Sequence, residues 1–261
     1  MPQLAAHRPF AADRSFTLGE ELRDRVLADR YAVARSGLFE LTARGREALR
    51  SLQEGWAQLE ADPYYGGRTP TCYRVRRYSD FRYDPAANRL TPLRHVPYYQ
   101  SEGMNRYVGG KVRHFGDVLP ETYENPLFLD LVACDFALFP VEERWLRAPW
   151  TCQVHMIRIV VGPGESTPVT PEGIHSDGYP FAGVHLMQRR GISGGESTVY
   201  TREEQPLATL TFEDPLDSLW LEDRNLKHYV TPISAAGPAA GQRDLLAISF
   251  SLADSPYETV L

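Results

Sequence analysis

Residues 171–181 read PEGIHSDGYPF. His175 and Asp177 stand one residue apart, between Gly173 and Gly178, two positions where the backbone can bend. In an extended chain, side chains two apart project to the same face, so the imidazole and carboxylate point together while Ile174 and Ser176 point away. Such a pair is either a hydrogen-bonded couple or two ligands of one metal ion. His-x-Asp is too common to choose between them unaided.

On both sides of this stretch lie short segments rich in β-branched and aromatic residues. CQVHMIRIVVG (152–162) precedes it; FAGVHLMQR (181–189), STVYT (197–201), LATLTF (207–212), DSLWLED (217–223), LKHYVTPI (226–233) and DLLAISFSL (244–252) follow. The clusters GPGEST, GISGG, EDRN and AAGPAAG separate them as turns. Seven or eight strands at this spacing predict an antiparallel sandwich or barrel.

Upstream, the pattern is helical. Residues 17–30 place Leu18, Leu22, Val26 and Leu27 at helical spacing, with Thr17 and Glu20 as a capping box. Residues 42–60 form a second amphipathic pattern, and YAVARSGLFEL (31–41) is short enough to be a strand. A third helix is predicted in NPLFLDLVACDFALFP, from Pro126 near its start to Pro140 at its end. Helices first and strands later, without β-α alternation, predict a mainly β or α+β chain. The expected organisation is one domain over 1–261, with a helical or mixed support segment at 1–90 and the strand region at 91–261.

Composition narrows the function classes. A net charge of −6 argues against a nucleic-acid partner. Cys72, Cys134 and Cys152 are odd in number and lack C-x-x-C spacing, which predicts reduced thiols and not a disulfide framework or cysteine zinc site. MPQLAAHRPF lacks the apolar run of a signal peptide, and no later segment is apolar enough to span a bilayer. The expectation is a soluble, cytoplasmic protein with no membrane partner; the sequence leaves its oligomeric state open.

A metal site needs a third ligand. His7 lies near the N-terminus, and His95 and His114 sit in polar, arginine-bearing surroundings. His185 and His155 are alternatives on neighbouring strands. His228 is the stronger candidate, because Leu226, His228 and Val230 share a strand face and a histidine among core residues needs a partner. Arg243 follows, opening a strand whose same-face residues are Leu245, Ala247 and Ser249. If the two strands form a hairpin, His228 and Arg243 are neighbours. An arginine at the end of a core-facing stripe is costly to desolvate unless an anion meets it, and a carboxylate would do so bidentately. Two histidines and a carboxylate on one face of a metal leave three positions open, as non-heme Fe(II) oxygenases require.

The runs TPVTPEGIHSDGYPF, GISGGESTVY and LKHYVTPI, followed by Arg243, resemble the 2-oxoglutarate/Fe(II)-dependent dioxygenases, and within them the bacterial enzymes that hydroxylate free amino acids, of the isoleucine dioxygenase kind. The upstream YYQSEGMNRYVGGKVRHFGDVL is similar to that group as well, so the resemblance covers roughly 95–253. It implies a double-stranded β-helix, or jelly roll, buttressed by the N-terminal helices. It further implies Fe(II) on His175, Asp177 and His228, with Arg243 on the distal carboxylate of the co-substrate 2-oxoglutarate. Dioxygen and a small amino-acid substrate complete the set. Many relatives carry a serine two residues after that arginine, where this chain has Leu245, so the hydroxyl partner must come from elsewhere, with Ser249 or a tyrosine as candidates.

For the substrate, a free amino acid needs a cation for its carboxylate and an acceptor for its ammonium. Arg158 and Glu172 are the nearest in sequence, and Tyr179 and Phe181 are candidate pocket walls. GISGGES lacks the lysine of a phosphate loop and reads as an inter-strand turn. Two rival readings use the same ligands. One is a cupin-like isomerase or ligand-binding protein, which has no need of Arg243; the other is a zinc hydrolase, for which Glu172 would be the base.

Overall fold

The computed structural model describes residues 14–19, 21–65 and 73–260, so His7, Glu20 and Cys72 lie outside the described residues. Strands form where the β-branched segments predict them. We number the main ones β1 (Tyr31–Ala34), β2 (Arg74–Asp84), β3 (Trp150–Val161), β4 (Phe181–Arg190), β5 (Glu196–Thr201), β6 (Pro206–Thr211), β7 (Ser218–Leu221), β8 (Leu226–Val230) and β9 (Gly241–Ser251). A large antiparallel sheet runs β1-β7-β4-β9-β3-β2, with the two-residue strand Glu60–Ala61 on the outer edge of β2. A smaller sheet runs β6-β5-β8, and a third joins Ile192–Gly194, Ile233–Ala235 and Ser166–Thr167. Together they make the jelly-roll core.

Three helices cover the large sheet: α1 (Glu21–Asp29), α2 (Ala43–Glu54) and α3 (Pro126–Leu138). Each start has a local cause. The Thr42 hydroxyl accepts from Gly45 N at 3.0 Å, and Asn125 Oδ1 accepts from Leu127 N at 2.9 Å with Pro126 just inside the helix. Among the described residues, no helix is long and apolar enough to cross a membrane.

Strand parity separates core from cavity. On β9, Leu246, Ile248 and Phe250 are fully buried in the cluster shared with α3 and with Trp150 and Trp220. Arg243, Leu245, Ala247 and Ser249, on the other face, line a cavity between the large sheet and β5–β8. Alternation along one strand thus places the hydrophobic core behind the sheet and the polar site in front of it.

Four sequence expectations change. Helix α1 begins at Glu21, because Thr17 pairs instead in a small ladder with Glu40 and donates to its carboxylate at 3.1 Å. Helix α2 gives way at Gly55 to a short 3-10 turn. The first 90 residues are more than a support, since β1 and β2 extend the large sheet itself. Finally, β8 and β9 are not a hairpin: β8 pairs with β5, and β9 lies between β4 and β3. Pro232, with no N–H to donate, ends the β8 ladder before the chain turns into Ile233–Ala235. His228 and Arg243 therefore belong to different sheets that share one cavity.

Candidate metal centre and its cavity

The loop carrying His175 is tied to β8 by an isolated bridge: His175 N donates to His228 O at 3.1 Å, and His228 N to His175 O at 2.8 Å. Directly opposed residues in such a pair send their side chains to the same side. The ring centroids stand 4.3 Å apart. Asp177 reaches between them, with Oδ1 3.7 Å from His175 Nε2 and Oδ2 3.8 Å from His228 Nε2. One ligand atom from each of the three lies within 4.8 Å of the others.

Hydrogen bonds decide which atoms are offered. His175 Nδ1 donates to the Gly173 carbonyl at 3.0 Å, so its Nε2 lone pair faces the cavity, the usual way a ligand imidazole is oriented. Burial opposes a charge on His175, but Asp177 and Glu172 outweigh it and raise its pKa. Burial, reinforced by His175, pushes His228 down to about 4, against the pull of Asp177. His228 is thus neutral near pH 7, the state a ligand requires. Burial also opposes ionisation of Asp177; His228, His175, Arg76 and Arg74 reverse this and lower its pKa.

Asp223, missed in the sequence, shapes this loop. Its buried carboxylate accepts from Asp177 N at 3.2 Å, Gly178 N at 2.8 Å, Tyr179 N at 3.2 Å and the Ser176 hydroxyl at 3.0 Å. Burial and the nearby Asp177 charge push the Asp223 carboxyl up to about 7. Gly173 and Gly178 have φ of 83° and 87°, the left-handed bends that their place in the sequence predicts.

Arg243 is 1% exposed, and its Nε and Nη1 are buried without an acceptor. Burial, with Arg189 alongside, pushes its pKa down to about 9. A guanidinium does not shed its proton to escape that cost; it recruits an anion. Ser249 shares its face but lies six residues further along the strand, roughly 20 Å away, too far to meet the same carboxylate. Ser197 fits better. It lines the cavity two residues from Gly195, whose Cβ position is 3.7 Å from the Arg243 side chain.

The remaining candidates divide. Glu172 is at the metal cluster, its Oε1 3.5 Å from His175 Nε2 and its Oε2 buried without a partner. Arg158 is not brought to the cavity. His155, Ile157 and Ile159 face inward along β3, and Arg158, of opposite parity, is held bidentately by Asp244 at 2.7 Å on both bonds. Tyr179 lines the cavity, whereas Phe181 stacks on Phe139 in the core. His155 faces the cavity but accepts from Arg76. His185 lies behind the sheet, 2.8 Å from the Ser218 hydroxyl and 3.0 Å from Asp135. That Ser-His-Asp trio is sealed from solvent, and Ser218 donates to the Leu216 carbonyl, so it is no hydrolytic site. His95 pairs with Asp117, and His114 is exposed.

The donor set fits a first-row metal of the iron type. Two imidazoles and one carboxylate converge from one side, Nε2 of His175 is free to ligate, and an orphaned guanidinium waits in the same cavity. Comparison with known proteins gives the same direction. The 2OG-Fe dioxygenase family model matches residues 53–249, well over half of the chain. L-isoleucine-4-hydroxylase of Bacillus thuringiensis is 26% identical over 157 residues, which is 59% of this chain and 65% of that enzyme, just under two thirds of its length. Among solved structures, IDO from Bacillus thuringiensis superposes with a TM-score of 0.73 at 20% identity, over 90% of this chain and 99% of its own. A bsmA homologue from Methylobium petroleophilum PM1 gives 0.72 at 25% identity, over 92% and 96%.

Proposed function

The chain belongs to the 2OG-Fe dioxygenase family, and from that premise we propose that it hydroxylates an unactivated C–H bond of a free amino acid or a small derivative. His175, Asp177 and His228 hold Fe(II), and Arg243 with Ser197 holds the distal carboxylate of 2-oxoglutarate. The observation that carries this reading is the pairing of a three-ligand cluster with a buried, unpartnered arginine in one cavity. A cupin-like isomerase would have use for the cluster and none for Arg243, and the family match speaks against a zinc hydrolase.

When bound, iron and 2-oxoglutarate supply the oxidising power: the co-substrate is oxidised to succinate and CO2, and one atom of dioxygen is left for the substrate. The protein's share is placement. Gly173 holds the His175 ring by its Nδ1–H, and Asp223 holds the loop that aims Asp177. Ile157, Val184 and Leu221 give the cavity apolar walls, which exclude water from the reacting carbon. Glu172, beside the ligands with one oxygen unsatisfied, is suited to accept a substrate ammonium. The bacterial amino-acid hydroxylase relative supports an amino acid as the substrate class.

The test is turnover under labelled dioxygen across a panel of free amino acids. Succinate should form in step with a product carrying one oxygen atom from O2. An oxygen derived from water, or product without succinate, overturns the dioxygenase reading.

A further inference from the structure

Beyond the metal cluster and Arg243, the cavity is lined by two further arginines, Arg74 and Arg76 on β2. Register fixes the place of Arg76. Arg76 pairs with Ile157 on β3, which pairs with Leu245 on β9, so Arg76 sits two strands, about 10 Å, from the row that carries Arg243. An anion held by Arg243 and reaching the metal cluster therefore leaves Arg76 unmatched.

The other arginines of this region are committed. Arg74 has Asp62 at 3.7 Å, Arg158 has Asp244, and Arg113, outside the cavity lining, donates to Gln100 Oε1 at 2.7 Å. Arg76 has no carboxylate partner among the described residues. It is 4% exposed, packs on the rings of Tyr98 (5.1 Å) and Phe115 (4.4 Å), and makes one hydrogen bond, to His155 Nδ1 at 2.5 Å. Its Nε is buried with no acceptor. His155 is itself locked, stacked on Tyr78 with centroids 4.7 Å apart. Burial, with Arg76 next to it, drives the His155 pKa far down, so the ring is a neutral acceptor that orients the guanidinium without neutralising it. Arg76 lines the same cavity as Asp177, whose carboxyl it helps hold ionised.

We propose that Arg76, held in position by His155, anchors the carboxylate of the substrate. A planar guanidinium with an orphaned N–H, desolvated against two rings, suits a carboxylate that it can bind bidentately. With Glu172, which lines the same cavity, as the acceptor for ammonium, the two orphaned atoms, Arg76 Nε and Glu172 Oε2, match the two charges of an α-amino acid. This pairing rests on the amino-acid reading above; the carboxylate anchor does not need it.

The test uses full-length protein loaded with Ni(II) and 2-oxoglutarate, which binds without turning over. Its affinity for free amino acids, their carboxamides and simple aliphatic carboxylates is measured calorimetrically in wild type, Arg76→Met and Arg76→Lys. Wild type should prefer acid to amide. Arg76→Met should lose at least about 30-fold in affinity for the acid and with it the preference. Arg76→Lys should fall between the two, and 2-oxoglutarate affinity should be unchanged in both. Melting curves identify a misfolded variant, and if Arg76→Met fails there, the folded Lys variant carries the comparison. An undiminished preference in the folded variants, or no binding of any carboxylate to wild type, overturns the proposal. If aliphatic carboxylates bind through Arg76 but no amino acid yields succinate, the anchor stands and the amino-acid reading fails.

Discussion

His175 and His228 exchange both of their backbone hydrogen bonds, at 3.1 and 2.8 Å, although the two residues belong to a loop and to a strand of the smaller sheet. The backbone thereby starts both side chains on the same side of the pair, and the Gly173 carbonyl fixes the His175 ring from there. Removing either ring leaves the bridge intact, so the consequences of substitution should be confined to the metal.

His228→Ala should therefore fold as wild type but fail to give the weak visible charge-transfer band of Fe(II) and 2-oxoglutarate under anaerobic conditions. It should also lose the stabilisation that saturating metal and co-substrate confer, about 2.7 kcal/mol at a hundredfold excess over Kd. Anaerobic titration and thermal melts check both. A normal band in the variant would move the third ligand elsewhere.

Arg243→Ala should weaken 2-oxoglutarate binding by about 2–4 kcal/mol while leaving metal affinity unchanged, since it removes the charge-assisted partner of a desolvated carboxylate. Titration of the same band with 2-oxoglutarate reads the shift. An unaltered affinity would exclude Arg243 from that site.

Gly178→Ala and Gly173→Ala form a matched pair. Both force a side chain into the left-handed region, at about 1–2 kcal/mol. Only at 178 would the added Cβ meet obstacles, the Val260 carbonyl at 2.6 Å and the Met104 methyl at 2.7 Å, whereas nothing lies within 4 Å at 173. Metal titration should show the larger loss for Gly178→Ala, because the turn that must shift is the one holding Asp177. Equal losses would mean that local strain, and not the position of Asp177, controls affinity.

Behind the sheet, Asp135 accepts from Trp220 Nε1 at 2.6 Å and faces His185 Nε2 at 3.0 Å. Asp135→Ala strips a fully buried network of its acceptor and should cost about 3–5 kcal/mol, lowering Tm by roughly 10 °C. The fraction that stays folded should turn over normally, as the network faces away from the cavity. Denaturation curves together with activity per folded molecule test this.

The candidate site was legible because side-chain parity is written in the order of residues: His175 with Asp177, His228 between Leu226 and Val230, Arg243 ahead of Leu245 and Ala247. Arg158 was misassigned for the same reason in reverse. It stands three residues from His155, an odd spacing that sends the two side chains to opposite faces of β3. Asp223 left no trace, because it acts on backbone N–H groups of residues 177–179, and any turn sequence provides those. Arg76 was hidden by a missing strand: RVRRY alternates, but which face matters is fixed only when β2 pairs with β3.

That pairing has a consequence for how readily this enzyme could change its diet. The residues assigned to metal and co-substrate all lie between 175 and 243, within the roll. Strand β2 is an outlying neighbour, joined to the roll along one edge and reached a hundred residues earlier in the chain. The proposed carboxylate anchor is thus encoded apart from the residues proposed for metal and co-substrate, whereas Glu172 and the apolar walls Val184 and Leu221 lie among them. Diversifying Arg76 on β2 is an economical library for a new substrate, because every member keeps all the residues proposed to hold metal and co-substrate.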